Sequence, residues 1–341
     1  MKKEKILTVT VPCYNSAPFM HECVDSLLTG GDDVEILIID DGSTDETGAI
    51  ADAYAARYPD LVRVIHQENG GHGEGINQGI RNARGTYFKV VDSDDWVDTA
   101  SLRRVLDRLK SLEREGGVDL LVCNYVYTYR DGRSNQVINY SNVFPADKVI
   151  GWDEIGSFRV NQYITIHSAT FRTEVLHACG IVLPKHTFYE DNLYVYAPLP
   201  LVKRLCYLNE NLYHYFIGRD GQSVSEEGLK KHYAHQVEVS KRIFFAADVP
   251  AVKKQNKKLG KYMHHEISMM LSIAGAVARL TNTPESEKCL MDAWKEIEAS
   301  SAYGRRLRWS SLGGMAAIPT AAGRAVCRVG YWIAHHVVAF N

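Results

Sequence analysis

The first hundred residues switch repeatedly between two hydrophobic periods, and few architectures accommodate that. Residues 34–39 (VEILII) form a near-continuous apolar run, the pattern of a strand covered on both faces. Residues 6–11, 61–65 and 87–91 read as further strands. Between them, residues 17–28 carry Phe19, Cys23, Val24, Leu27 and Leu28 at helical spacing, and residues 44–58 and 75–83 are two further helical stretches. Ser43 or Thr44 can cap the second helix and Pro59 stops it, while Gly85 ends the third. Strand–helix alternation at this density predicts an α/β layer, a mostly parallel sheet flanked by helices.

Beyond this layer, a helix is expected over 99–115 and a longer strand over 119–129, with a hairpin turn at Asp131-Gly132. Residues 173–179 read as a short helix ended by Gly180, and 190–199 as another before Pro200. Residues 204–216 suggest two strands around a turn at 209–211. From about residue 226, long stretches of Ala, Lys, Glu, Met and Leu recur at helical spacing. The expected organisation is an α/β domain over 1–225 and a helical C-terminal region over 226–341.

Composition narrows the classes. Of 341 residues, 45% are hydrophobic and 23% charged, enough for a real core. The formal net charge of −2 supplies no global basic field, so nucleic acid is not an expected partner. Seven cysteines (13, 23, 123, 179, 206, 289 and 327) are dispersed without zinc or redox-pair spacing. They read as reduced thiols in a cytoplasmic protein. Thr8, Thr10 and Pro12 interrupt the first apolar run, so it is not read as a signal segment, and no eighteen-residue apolar stretch suggests a membrane span.

Five segments carry candidate chemistry. In Val90-Val91-Asp92-Ser93-Asp94-Asp95-Trp96, three carboxylates stand where an apolar strand ends. Clustered carboxylates repel one another, and a hard divalent cation such as Mn²⁺ or Mg²⁺ relieves this; helix-capping aspartates in a polar loop are the alternative. Asp40 and Asp41 follow the next strand, where a carboxylate can accept from a base N–H or simply favour a helix N-terminus. Pro12, Tyr14 and Asn15 end the first strand; Tyr14 can stack on a planar ring or pack. The glycines of residues 69–77 (NGGHGEGIN) allow close backbone approach, but the segment matches neither nucleotide-loop pattern. Glu190 and Asp191, flanked by aromatics, form either a general base raised by burial or a helix-start acid pair.

Taken in order, TVPCYN, IIDDGSTD, NGGHGEGINQGI, GTYFKVVDSDDWVD and FYEDNLYV resemble the second family of glycosyltransferases over about residues 5–225. The resemblance implies the GT-A fold, a nucleotide-sugar donor (UDP-linked above others), a divalent metal, and inverting transfer of a hexosyl or N-acetylhexosaminyl group. Pro12, Tyr14 and Asn15 look like the family's base pocket, and Asp41, with Asp40 beside it, like the reader of the uracil edge. Asp92, Ser93, Asp94 and Asp95 look like the DxD region, with Asp94 and then Asp95 as metal ligands. Asp191 looks like the catalytic base, with Glu190 as runner-up. His214, Arg219 and Ser223 resemble a late loop closing over the diphosphate. His72 and Asn77 are carried over as donor contacts, although Ile76 stands where many relatives have Arg or Lys.

The subgroup implies bacterial cell-surface polysaccharide synthesis, with a glycan or lipid-linked glycan as acceptor. A sugar nucleotidyltransferase and a catalytically silent nucleotide- or glycan-binding module are the rival readings. Arg305, Arg306, Arg308, Arg324 and Arg328, with Trp309, Tyr331 and Trp332, suggest a tail that rests on the inner face of an anionic membrane. The alternative is a docking helix whose arginines face water.

Overall fold

A computed structural model describes residues 5–218 and 226–318. They divide into two compact units, 5–157 with 164–218 and 158–163 with 226–318. The transfer of the short segment 158–163 to the second unit leaves no mark in the sequence; Phe158 stacks on Tyr262 with ring centroids 4.2 Å apart.

The first unit opens with β1 (Leu7–Cys13), α1 (Met20–Leu28), β2 (Val34–Asp40), α2 (Thr47–Arg57), β3 (Val62–His66), α3 (His72–Asn82) and β4 (Tyr87–Val90). It continues with β5 (Trp96–Val97), α4 (Thr99–Arg114), β6 (Leu120–Tyr129), β7 (Gln136–Ile138) and β8 (Val149–Ile150). Last come β9 (Ala169–Arg172), α5 (Thr173–Cys179), α6 (Asp191–Tyr196) and β10 (Leu205–Ile217). The main sheet runs β3-β2-β1-β4-β9-β6-β10-β5. Its long pairings are parallel: β1 with β2 and β4, β2 with β3, and β6 with β10. The short β9 lies antiparallel between β4 and β6. Every residue of β1 and β2 is buried, as the unbroken apolar runs require when both faces of a sheet are covered. Successive crossovers leave β1 for β2 and return to β4 on its other side. The carboxyl ends of β1, β2 and β4 therefore meet at a topological switch point, where open α/β sheets form ligand crevices.

Three local expectations change. First, β10 is one strand, not two: its register against β6 shifts between Leu208 and Tyr213. Asn209 and Asn211 are not a turn, because both accept from the buried Asn124 amide, at 2.8 and 3.0 Å. Second, α2 begins at Thr47, whose N–H is taken by Asp45 at 3.0 Å. Ser43 and Thr44 are instead committed to Asn15: the Asn15 N–H donates to Ser43, and the Thr44 N–H to Asn15 Oδ1. Third, the helix expected over 190–199 ends at Tyr196. By contrast, α4 starts where the sequence indicates, with Asp98 accepting from Ser101 N–H at 2.8 Å, a cap worth about 1 kcal/mol.

The second unit is helical: α7 (Glu226–Lys231), α8 (Tyr233–Phe245), α9 (Val249–Gln255), α10 (Lys257–Thr281), α11 (Pro284–Ser300), α12 (Ala302–Ser310) and α13 (Leu312–Ala316). Met263, Ile267, Trp294 and Ile297 form its fully enclosed centre. Arg308 departs from the surface role expected of it. It is buried, pairs with Glu298 at 2.9 Å, donates to the Gly314 and Ala317 carbonyls and lies against the Trp294 ring. Arg305, Arg306 and Trp309 do face outward. Arg324, Arg328, Tyr331 and Trp332 lie outside the described residues. No described helix is long and apolar enough to cross a membrane, and the described cysteines form no disulfide.

Candidate active site

The strand ends supply the first components. Asn15, with φ 50°, turns the chain out of β1 and braces the segment after β2. This leaves Tyr14 exposed at the crevice edge. Ser16 reaches Ser93 at 2.7 Å, joining the β1 loop to the acidic run after β4. Asp40 and Asp41 are both buried. Asp40 accepts from His66 at 2.8 Å and Ser43 N–H at 3.1 Å; these bonds outweigh burial and hold its carboxyl below the usual range. Asp41 accepts from Gln67 at 2.6 Å and from the Gly70 and Gly71 N–H groups at 2.8 Å each. Three of about four lone-pair directions are thus taken within the protein. Asp41 anchors the glycine-rich loop, a structural duty that the sequence did not suggest.

That loop holds the second acidic motif. A side chain at Gly73 would lie 2.9 Å from Glu190 Cγ and 3.0 Å from the Pro184 carbonyl. The absence of a Cβ is what lets the segment before α6 seat directly on the start of α3. Asn77 completes the clamp: its amide donates to the Leu183 carbonyl and to Glu74, and its oxygen accepts from Leu183 N–H. Asn77 is buried, and three bonds of its amide go to holding this segment.

The clamp delivers His72 between two carboxylates. Nδ1 donates to Glu190 and Nε2 to Asp92, each at 2.8 Å. Enclosure disfavours the imidazolium, but Asp92 and then Glu190 outweigh it and hold His72 well above its usual range. Both ring nitrogens act as donors, as an imidazolium requires. A single cationic ring thus ties the acidic motif after β4 to the one at α6. Asp191, the first residue of α6, has its carboxyl pushed up to about 7, by burial and then by Glu190.

A further cluster lies beside Asp92. Donor atoms of Asp92, Asp95 and His167 fall within 4.8 Å of one another. Asp95 accepts from Tyr213 Oη at 2.6 Å and Phe216 N–H at 2.8 Å; burial, then Asp94 and Asp92, raise its carboxyl well above the usual range. His167 stacks on Tyr215 with centroids 4.6 Å apart. Burial pushes its imidazole down to about 4, so it is neutral, and its buried Nδ1 has no hydrogen-bond partner among the described residues. Two carboxylates and a neutral imidazole with an orphaned nitrogen suit Mn²⁺ or another borderline divalent ion. Asp94, the ligand favoured from sequence, is not in this cluster. The buried Lys89 fixes the segment by donating to the His167 and Ala169 carbonyls, at 2.7 and 3.3 Å.

His214 does not join the site. Strand alternation puts Tyr213 and Tyr215 on the face of His167 and turns His214 to the other, where it stacks on Trp96 at 5.4 Å and bonds Thr128 at 3.0 Å. Arg219 and Ser223 lie outside the described residues. Sequence reading missed His167 and Lys89. His167 sits in a stretch without periodicity or motif, and Lys89 is a single cation within an apolar strand, so neither left a signal.

Residues 8–173 match the family described as Glycosyl transferase family 2, and the chain carries a domain of that family. Among curated relatives, it is 39% identical over 130 residues to the uncharacterized glycosyltransferase EpsJ of Bacillus subtilis, and 38% identical over 133 residues to the glycosyltransferase GlyG of Streptococcus pneumoniae. Each match covers 38% of this chain, and 36% and 42% of those relatives respectively. Among solved structures, S. aureus TarS 1–349 in complex with UDP-GlcNAc superimposes with a TM-score of 0.68 at 20% identity, over 96% of this chain and 91% of that one. The mannosyltransferase PcManGT of Pyrobaculum calidifontis, in complex with GDP-Man and Mn²⁺, gives 0.52 at 16% identity, over 97% and 88%. The fold is of the GT-A type, with a helical C-terminal region.

Proposed function

We propose that this chain is an inverting glycosyltransferase that moves a hexosyl or N-acetylhexosaminyl group from a UDP-sugar to an acceptor hydroxyl. The observation that carries this reading is the His72 bridge. It joins Asp92, in the acidic run where a donor diphosphate and cation would gather, to Glu190, the neighbour of a carboxyl poised near neutrality. The family domain and the donors named for TarS and PcManGT support it.

Asp191 then accepts the proton of the acceptor hydroxyl. The acceptor oxygen bonds to the anomeric carbon as the bond from that carbon to the diphosphate breaks, and its electron pair leaves with the nucleoside diphosphate. The transition state has oxocarbenium character. Glu190, held by His72, keeps the start of α6 in register and raises the basicity of Asp191. Tyr14 offers a stacking face at the crevice edge and Ser93 a hydroxyl toward the donor. Asp92, Asp95 and His167 would hold the divalent ion, with Asp94 adjacent. The ion's chemistry is to neutralise charge on the departing diphosphate.

Residues 1–225 are proposed as the donor and catalytic domain and 226–341 as an acceptor- or membrane-associated region. The acceptor is proposed as a glycan or lipid-linked glycan of a bacterial surface polysaccharide. A cytoplasmic location with peripheral membrane contact is supported by the outward Arg305, Arg306 and Trp309, with vesicle co-sedimentation as the check. Proton NMR of slow donor hydrolysis tests the single displacement: an α-linked UDP-sugar should release β-sugar first. Initial release of α-sugar would rule that mechanism out.

A further inference from the structure

The helical unit contains a cavity of about 370 Å³ between α9, α10 and α12, and its charged lining is entirely basic. Lys253 and Lys254 come from α9 and Arg306 from α12, with His264 and Tyr303 behind them and Pro250 on the apolar wall. Residues 249–265 hold five lysines and no Asp or Glu, and residues 302–310 (AYGRRLRWS) hold no acid. Three other cations of this unit are matched: Arg308 with Glu298, Arg279 with Glu287, and Lys241 with Glu238 and Glu296. Lys253, Lys254 and Arg306 have no ion pair among the described residues.

The cavity is built rather than incidental. A Cβ at Gly260 would lie 2.4 Å from the Lys253 Cα, so α9 reaches α10 only because that residue is glycine, and the approach fixes Lys253 at the rim. His264 Nδ1 and Tyr303 Oη are 2.9 Å apart. Burial, then Lys253 and His265, push the His264 imidazole down, consistent with a positive potential in the cavity. Tyr303 stacks on Phe244, which meets the half-exposed Phe245 edge-on. Tyr303 therefore forms an aromatic wall of the cavity, backed by Phe244.

We propose that this cavity binds a phosphate group, as a phosphomonoester or phosphodiester, through Lys253, Lys254 and Arg306, with the carbon skeleton of the ligand on the aromatic side. Charge-assisted bonds to phosphate oxygens are the strong class. A cavity of this size admits one phosphate with an attached polyol or sugar. The site is separate from the carboxylate crevice and does not depend on the transferase reading.

The test compares the full chain with a Lys253→Ala/Lys254→Ala/Arg306→Ala variant and with Lys288→Ala, which alters an exposed cation of α11 outside the cavity lining. The probes are glycerol 3-phosphate, read by calorimetry, and vesicles of phosphatidylcholine with or without phosphatidylglycerol, read by co-sedimentation. The site predicts binding weakened about tenfold or more in the triple variant and unchanged in Lys288→Ala. Dependence on these cations also separates the cavity from any phosphate held in the carboxylate crevice. Loss of glycerol 3-phosphate binding identifies a soluble phosphate ligand; loss confined to phosphatidylglycerol vesicles identifies a lipid headgroup. Binding of neither probe, a triple variant equal to wild type toward both, or equal weakening in Lys288→Ala would overturn the proposal. The variant's thermal melt verifies folding; a folding failure moves the test to each single substitution.

Discussion

Asp191→Asn is expected to lower sugar transfer by roughly 10²–10⁴-fold while leaving donor affinity within a few-fold of wild type. The substitution keeps the shape of the side chain and removes the proton acceptor. The wild-type profile should carry the same signature. With the Asp191 carboxyl pushed up to about 7 by burial and then by Glu190, the active form is the carboxylate. Transfer therefore falls as the pH drops through about 7 and levels off above it. In Asp191→Asn that acid limb should vanish from the residual rate. Calorimetric donor binding beside initial rates from pH 5.5 to 8.5 reads both effects. Near-normal transfer by the variant would remove Asp191 as the base, and a persisting acid limb would assign the limb to another group.

His72→Ala carries the second large effect. It removes the ring that bonds both acidic motifs and leaves Glu190, 2% exposed, without its cation. An uncompensated buried carboxylate is costly enough that the segment before α6 should shift. Displacement of a catalytic group by about 1 Å costs on the order of 10²-fold in rate, and that is the expected loss in transfer. His72→Gln retains one hydrogen bond without the charge and should fall between wild type and His72→Ala. Melting temperatures run beside the rates separate general unfolding from local misplacement. A His72→Ala protein with wild-type rates would show that the bridge does not position the base.

Much of the α/β layer was legible because it is written in hydrophobic period. The runs at 6–11, 34–39 and 87–91 had to be strands, with Asp40 and Asp41 at the carboxyl end of the second and Asp92 at that of the third. Side-chain duty was far less legible. The NGGHGEGIN segment reads as a ligand-cradling loop, yet Gly73 and Asn77 serve to seat the stretch that carries Glu190. Asp41 reads as a base contact, yet it spends two hydrogen bonds on that same loop and a third on Gln67 just before it. Such partners are 26 to 106 positions apart in sequence, and no local pattern encodes them. His167 is the plainest case. It is brought to Asp92 and Asp95 by the antiparallel insertion of β9 between β4 and β6, a topology that hydrophobic period alone does not announce. His214 errs in the opposite sense: its motif neighbours are in the site, and the two-residue period of β10 turns it away.

The account stands or falls on the donor crevice, and one measurement addresses it directly: nucleotide release from a panel of UDP-, GDP- and dTDP-sugars by the purified protein, with and without Mn²⁺. The account predicts slow release from one UDP-sugar, dependent on the metal and abolished by Asp92→Ala. Failure to bind or release any nucleotide-sugar, with metal present, would contradict it.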